Sequence, residues 1–110
     1  MDIKKRNLVY YQSTDIHDVI PKVDILYMTR IQKERFSDPL DYEKVKNAYV
    51  LRNSMLEDTK SNLKIMHPLP RVNEITSDVD ENPKAYYFTQ ALNGVFVRQA
   101  LLASILGVVD

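Results

Sequence analysis

The apolar residues of this chain fall into short blocks with two different periods. Leu8-Val9-Tyr10-Tyr11 is short and rich in β-branched or aromatic residues and predicts a strand. Within Asp15–Ile20, the apolar residues Ile16, Val19 and Ile20 follow an i, i+3, i+4 spacing that stops at Pro21, which predicts a one- or two-turn helix. Val23-Asp24-Ile25-Leu26-Tyr27-Met28 is nearly all apolar, as a parallel strand covered on both faces should be. Tyr42 to Val50 mixes charges with Val45, Ala48 and Tyr49 in an amphipathic helical pattern. Ser54-Met55-Leu56-Glu57 has the spacing of a capping box and predicts the start of a second short helix. Leu63 to Met66 is a third strand candidate. Strand, helix, strand, helix, strand implies right-handed crossovers and a parallel sheet, an α/β fold.

The pattern then changes. His67-Pro68-Leu69-Pro70-Arg71 follows the third strand directly, and neither proline can supply a backbone N–H. Pairing must stop there, leaving a stiff loop at the carboxyl end of a strand, the edge where open α/β sheets bind ligands. Asp78 to Asn82 forms an acidic turn, and Pro83 suits the first turn of a helix predicted from Ala85 to Leu106. Gly94 is the expected bend or close-packing point within it. This helix is apolar nearly all round, with Arg98, Gln99 and Ser104 pointing in different directions. Such a helix needs cover on several sides, more than the predicted strands provide.

Composition narrows the function classes. With 110 residues the chain is at most one domain, and 15 basic residues balance 15 acidic ones. No global field favours nucleic acid or an anionic membrane, and Lys4-Lys5-Arg6 is too short to act as a nucleic-acid patch. The absence of cysteine excludes a disulfide framework and fits a reducing compartment. No apolar run reaches the roughly 20 residues of a membrane span. A soluble, cytoplasmic protein with neither nucleic-acid nor membrane partners is the expectation.

Candidate chemistry gathers in two segments. Thr29-Arg30-Ile31-Gln32-Lys33-Glu34-Arg35 follows the second predicted strand. An arginine can grip a carboxylate in a bidentate fork, with a glutamine amide donating alongside. Arg30 and Gln32 share a parity, so an extended chain would turn both toward one ligand. An Arg-x-Gln loop is ordinarily just an exposed, ion-paired surface, but this one leaves the same sheet edge as the proline loop. His67 reads as a hydrogen-bonding anchor of its loop, because His17 is the only other histidine and no carboxylates show ligand spacing. Asp78-Val79-Asp80-Glu81-Asn82 imitates a calcium loop, but Pro83 and Thr89 stand where glycine and glutamate are needed. Acidic charge near a helix N-terminus explains it better. With only two glycines, Gly94 and Gly107, there is no phosphate cradle in this segment. The residues alone give an anion-binding sheet edge and no reaction.

Together these segments resemble the C-terminal part of the aspartate carbamoyltransferase catalytic chain. The resemblance rests on Val23 to Arg35, on His67 to Arg71 with Val72 and Glu74, and on Asp78-Val79-Asp80. Tyr87-Phe88, Gln90-Ala91, Asn93-Gly94 and Arg98 to Leu102 continue it in collinear order. The related ornithine enzymes differ at both landmarks, carrying a His-Cys-Leu-Pro loop and no Thr-Arg-x-Gln segment.

The resemblance implies a three-layer α/β/α domain with a parallel sheet, residues 1–84 being the C-terminal share of the aspartate-binding domain. Residues 85–110 would be a terminal helix that packs on the family's N-terminal carbamoyl-phosphate domain, which is missing from these residues. It implies transfer of a carbamoyl group from carbamoyl phosphate to L-aspartate in pyrimidine synthesis, without metal or organic cofactor, in a family whose full-length chains form homotrimers. Arg30 and Gln32 would bind L-aspartate. Pro68, Leu69 and Pro70 would line the carbamoyl phosphate pocket, with the Leu69–Pro70 bond cis. Lys33, Glu34, Arg35, Tyr42 and Glu74 would serve loop closure, the mobile segment being Phe36 to Lys46.

Several family features have no counterpart in these residues: the Ser-Thr-Arg-Thr phosphate site, the His-Pro-Thr-Gln segment, a lysine lent by a neighbouring subunit and a second aspartate-binding arginine. No complete catalytic set is therefore expected here, and the chain alone is expected to be inactive. Asn73 stands where the family has an aspartate, and Leu92 where it has a glycine. Two alternatives stay open, an interaction or remnant module docking through its terminal helix, and a carbamoyltransferase for another amino acid, which Arg30 and Gln32 disfavour.

Overall fold

Local caps decide where the first helices start. Asp15 accepts a 2.9 Å hydrogen bond from the His17 N–H and so opens α1, Ile16–Val19, which tightens into a 3₁₀ turn at Ile20–Lys22. Asp38 does the same for the Leu40 N–H, at 2.9 Å, and Pro39 fills the first position of α2, Pro39–Ala48. This cap moves the helix start upstream of the predicted Tyr42. The computed structural model describes residues 6–31 and 37–108.

Between these helices runs β1, Ile25–Tyr27, which pairs in parallel with β2, Lys64–Met66, in the register Ile25↔Lys64, Leu26↔Ile65 and Tyr27↔Met66. The ladder continues past both ends, Lys64 N–H to the Asp24 carbonyl at 2.9 Å and Met28 N–H to the Met66 carbonyl at 2.8 Å. The other edge of β2 is also used. Ile65 N–H donates to the Lys84 carbonyl and Tyr86 N–H to the Ile65 carbonyl, both at 2.8 Å, in a parallel bridge to Ala85. A second parallel bridge joins Leu51 to Ile75.

Three expectations are corrected by this ladder. Leu8–Tyr11 is irregular and exposed, not a strand; its β-forming side chains need a neighbouring edge, and the position beside β2 is taken by the segment around Ala85. Pro83 belongs to a turn, and Lys84 to Tyr86 bond to β2 before the last helix begins. Ser54 does not cap a helix. The 3₁₀ turn Asn53–Leu56 starts after Arg52, whose N–H approaches Met55 Sδ at 3.4 Å.

The core lies around β2. Leu51, Leu63, Ile65, Val79 and Tyr87 are fully buried, and Ile16, Ile20, Met28, Leu56 and Ile75 complete the cluster. From it extends α3, Tyr87–Leu106, unbroken at Gly94 and ended by Gly107 at φ 74°. The Gly107 and Val108 N–H groups return to the Ser104 and Ala103 carbonyls at 3.2 and 3.0 Å, a left-handed stop that glycine adopts without a Cβ clash. Beyond Gln90 the helix is almost wholly exposed, Phe96, Leu101, Leu102 and Ile105 included. The radius of gyration is accordingly 17.3 Å, against about 13 Å for a compact chain of this length.

Candidate functional site

Parallel register brings the ends of β1 and β2 out on one edge, so Thr29-Arg30 and His67 to Pro70 emerge side by side. They line a single cleft of about 370 Å³. Arg30 is exposed there, its guanidinium available to an anion. The opposite wall is the proline loop, with Leu69 at φ 50° and a cis Leu69–Pro70 bond. A left-handed conformation is unfavourable for leucine by about 1 kcal/mol or more, so surrounding contacts must hold it.

His67 supplies those contacts from beneath. It is 1 % exposed, and its Nδ1 accepts the Leu69 N–H at 2.7 Å. Because Nδ1 uses its lone pair there, the ring proton sits on Nε2, 2.7 Å from Glu74 Oε1. Glu74 is buried too, and its carboxylate also accepts the Val72 N–H at 3.1 Å. Burial alone would push the Glu74 carboxyl up, but the N–H groups of Glu74 and Val72 and the His67 ring together hold it below its ordinary range. A carboxylate facing an Nε2–H is the result. The His67 backbone N–H donates to Gln90 Oε1 at 2.9 Å, and the Gln90 amide reaches the Tyr27 hydroxyl at 3.2 Å. The loop is thus tied to β1 and α3 at once.

A second clamp holds its far end. Arg71 forks onto the Asp80 carboxylate through both terminal nitrogens, and its Nη1 also reaches the Tyr87 hydroxyl at 3.1 Å. The Tyr87 hydroxyl in turn donates to Asp80. The Arg71 fork lowers the Asp80 carboxyl below its ordinary range. Burial, with the Asp80 charge beside it, pushes the Tyr87 hydroxyl up to about 12. A wider cleft of about 530 Å³ opens beside Arg52 and Thr76, but Arg71 on its wall is committed to Asp80. The smaller cleft carries the ligand argument.

Of the residues singled out from sequence, Arg30, Pro68, Leu69 and Pro70 therefore meet in one cleft. Gln32, Lys33, Glu34 and Arg35 lie outside the described residues. Tyr42 is half-buried on α2, and Glu74 is the buried partner of His67. His67 is the loop anchor that its sequence context predicts, whereas neither the Gln90 contact nor the Arg71–Asp80–Tyr87 clamp is among the sequence expectations. Gln90 could have been found as a polar residue at the start of an apolar helix. Asp80 belongs to the Asp78-Val79-Asp80 run that carries the resemblance, but its sequence context predicts no partner beyond charge near a helix N-terminus.

Fold and cleft define an α/β domain that presents an arginine and a rigid proline loop at the carboxyl edge of a parallel sheet. The chain belongs to the aspartate/ornithine carbamoyltransferase family, whose Asp/Orn-binding domain matches residues 2–105. It is 58% identical over 106 residues to an aspartate carbamoyltransferase catalytic subunit of Bacteroides fragilis, covering 96% of this chain and 34% of that one. The counterpart from Azobacteroides pseudotrichonymphae is 61% identical over 104 residues, covering 94% and 34%. Among solved structures, the catalytic subunit of M. jannaschii aspartate transcarbamoylase superposes with a TM-score of 0.87 at 45% identity, over 96% of this chain and 34% of that one. Aspartate transcarbamoylase from Trypanosoma cruzi, solved with carbamoyl phosphate, gives 0.80 at 35% identity over 92% and 32%. The chain spans about a third of the length of these relatives.

Proposed function

We propose that this chain is the aspartate-binding share of an aspartate carbamoyltransferase, which joins carbamoyl phosphate to the α-amino group of L-aspartate. The observation that carries this reading is the single cleft shared by Arg30 and the His67–Pro70 loop. In the reaction the deprotonated amine attacks the carbamoyl carbon, the new C–N bond forms, phosphate leaves as the C–O bond breaks, and the proton shed by the amine nitrogen passes to the departing phosphate. Arg30 holds an aspartate carboxylate and Gln32 assists it. Pro68, Leu69 and Pro70 line the carbamoyl phosphate side, the backbone carbonyls around Pro68 and Leu69 accepting from the carbamoyl nitrogen. Lys33, Glu34, Arg35 and Tyr42 belong to closure over aspartate, and Glu74 fixes the base on which that closure acts. The contribution of these residues is positioning, worth several kcal/mol when reacting atoms are held near contact. No metal or organic cofactor takes part in this scheme.

The remaining groups come from a carbamoyl-phosphate domain seated against α3, in a cytoplasmic homotrimer, so the 110-residue chain alone is inactive. The test is a graft. Residues 2–107 replace the matched third of the Bacteroides fragilis subunit, and N-carbamoyl-L-aspartate is assayed. Activity within about tenfold of the parent is expected. A folded graft that makes none, or that prefers ornithine, overturns the proposal. The exposed apolar length of α3 favours one second reading, a docking module without activity, which the same graft distinguishes because it would assemble yet remain inert.

A further inference from the structure

The cleft needs a loop held in a conformation that leucine does not favour, and the group that holds it is an imidazole with no contact of its own to make in the proposed reaction. Resting on the carbamoyltransferase reading of that cleft, we infer that His67 and Glu74 are positioning residues: Glu74 fixes the imidazole as its Nε2–H tautomer, and the bare Nδ1 then grips the Leu69 amide. Both contacts are 2.7 Å, and both side chains are buried. Each half requires the other. A proton on Nδ1 would face the Leu69 N–H, donor against donor, and would release the backbone that lines the cleft. An ionised Glu74 draws the ring's single proton to Nε2, the Leu69 N–H opposes one at Nδ1, and the Val72 N–H keeps the carboxylate oriented. The Gln90 amide oxygen fixes the His67 backbone from the α3 side, so the ring cannot swing away with its peptide.

The geometry separates acceptor from bulk, which makes the test sharp. Asparagine places an amide oxygen where Nδ1 stands, whereas glutamine reaches toward Nε2 and leaves the Leu69 N–H without its acceptor. In the active graft, His67→Gln lowers kcat/KM for carbamoyl phosphate by about 10- to 100-fold. His67→Asn recovers most of that loss, although both variants lose similar thermal stability. Equal activity loss in the two variants overturns the inference, since a purely structural histidine would not distinguish them. Independently of catalysis, ¹⁵N NMR of the 110-residue chain reports the ring state. A protonated Nε2 with an unprotonated Nδ1 supports the inference, and the reverse tautomer overturns it. An inactive unsubstituted graft would strike the carbamoyltransferase reading alone, leaving the NMR result to decide the tautomer.

Discussion

The first turn of α3 and its far half obey opposite rules although they are one helix. Tyr87 is fully buried, bonded to Arg71 and Asp80, and Gln90 reaches both the proline loop and Tyr27. Three turns on, Leu101, Leu102 and Ile105 stand 57 to 79 % exposed. The near end is specified by polar contacts that admit few substitutes. The far half is mostly apolar and exposed, a surface with no complement among the described residues. Precision and stickiness are thus separated along 20 residues.

The largest effect that tests this contrast is a matched pair of truncations. Leu63→Ala, at a fully buried site, should cost about 2–5 kcal/mol in urea denaturation. Leu102→Ala, at 61 % exposure, should change stability by less than about 0.5 kcal/mol. A comparable loss at Leu102 would mean that the far half is covered in solution. Next comes the clamp. Arg71→Lys keeps the charge but loses the fork onto Asp80, and should cost about 1–2 kcal/mol by the same measurement.

The clamp also sets a pH signature. Tyr87 is raised from 10.0 to about 12 in the folded chain, so it favours folding below pH 10, and that contribution falls away as pH rises through 12. Glu74 and Asp80 are lowered instead. Their contributions are present above the ordinary carboxylate range and vanish as pH falls through the depressed values. Tyr87→Phe should flatten the alkaline limb of a stability–pH curve and leave the Glu74 share of the acid limb in place. The smallest pair lies on the far half. Gly94→Ala meets only the Arg98 side chain, at 3.0 Å, and should add up to about 1 kcal/mol of helix stability. Gly107→Ala, at φ 74°, should lose about 1 kcal/mol. Thermal melts by circular dichroism would show the opposite signs.

How legible each part was follows from the range of the interactions involved. The proline loop and α3 are readable because missing N–H groups and a helical spacing of mostly apolar residues act locally. Arg30 and the loop were placed on one edge by strand direction alone. Leu8–Tyr11 misled because strand identity depends on a neighbour that composition does not name, and the edge of β2 went to the residues around Ala85. Ser54 misled because spacing mimics a cap without fixing where the turn begins. The His67–Glu74 pair and the Arg71–Asp80–Tyr87 clamp join residues seven to sixteen apart across irregular loop, where no periodicity announces a partner.

The continuity of α3 has a thermodynamic consequence. Gln90 and Tyr87 hold the proline loop, while the apolar turns beyond them stand exposed on the same helix. Whatever free energy a docked surface spends in steadying that helix also steadies the loop, and a filled cleft returns an equal coupling to the docked surface. Any assembly through those turns and any ligand affinity of the cleft would then be two readings of one equilibrium, with the helix as the shared variable.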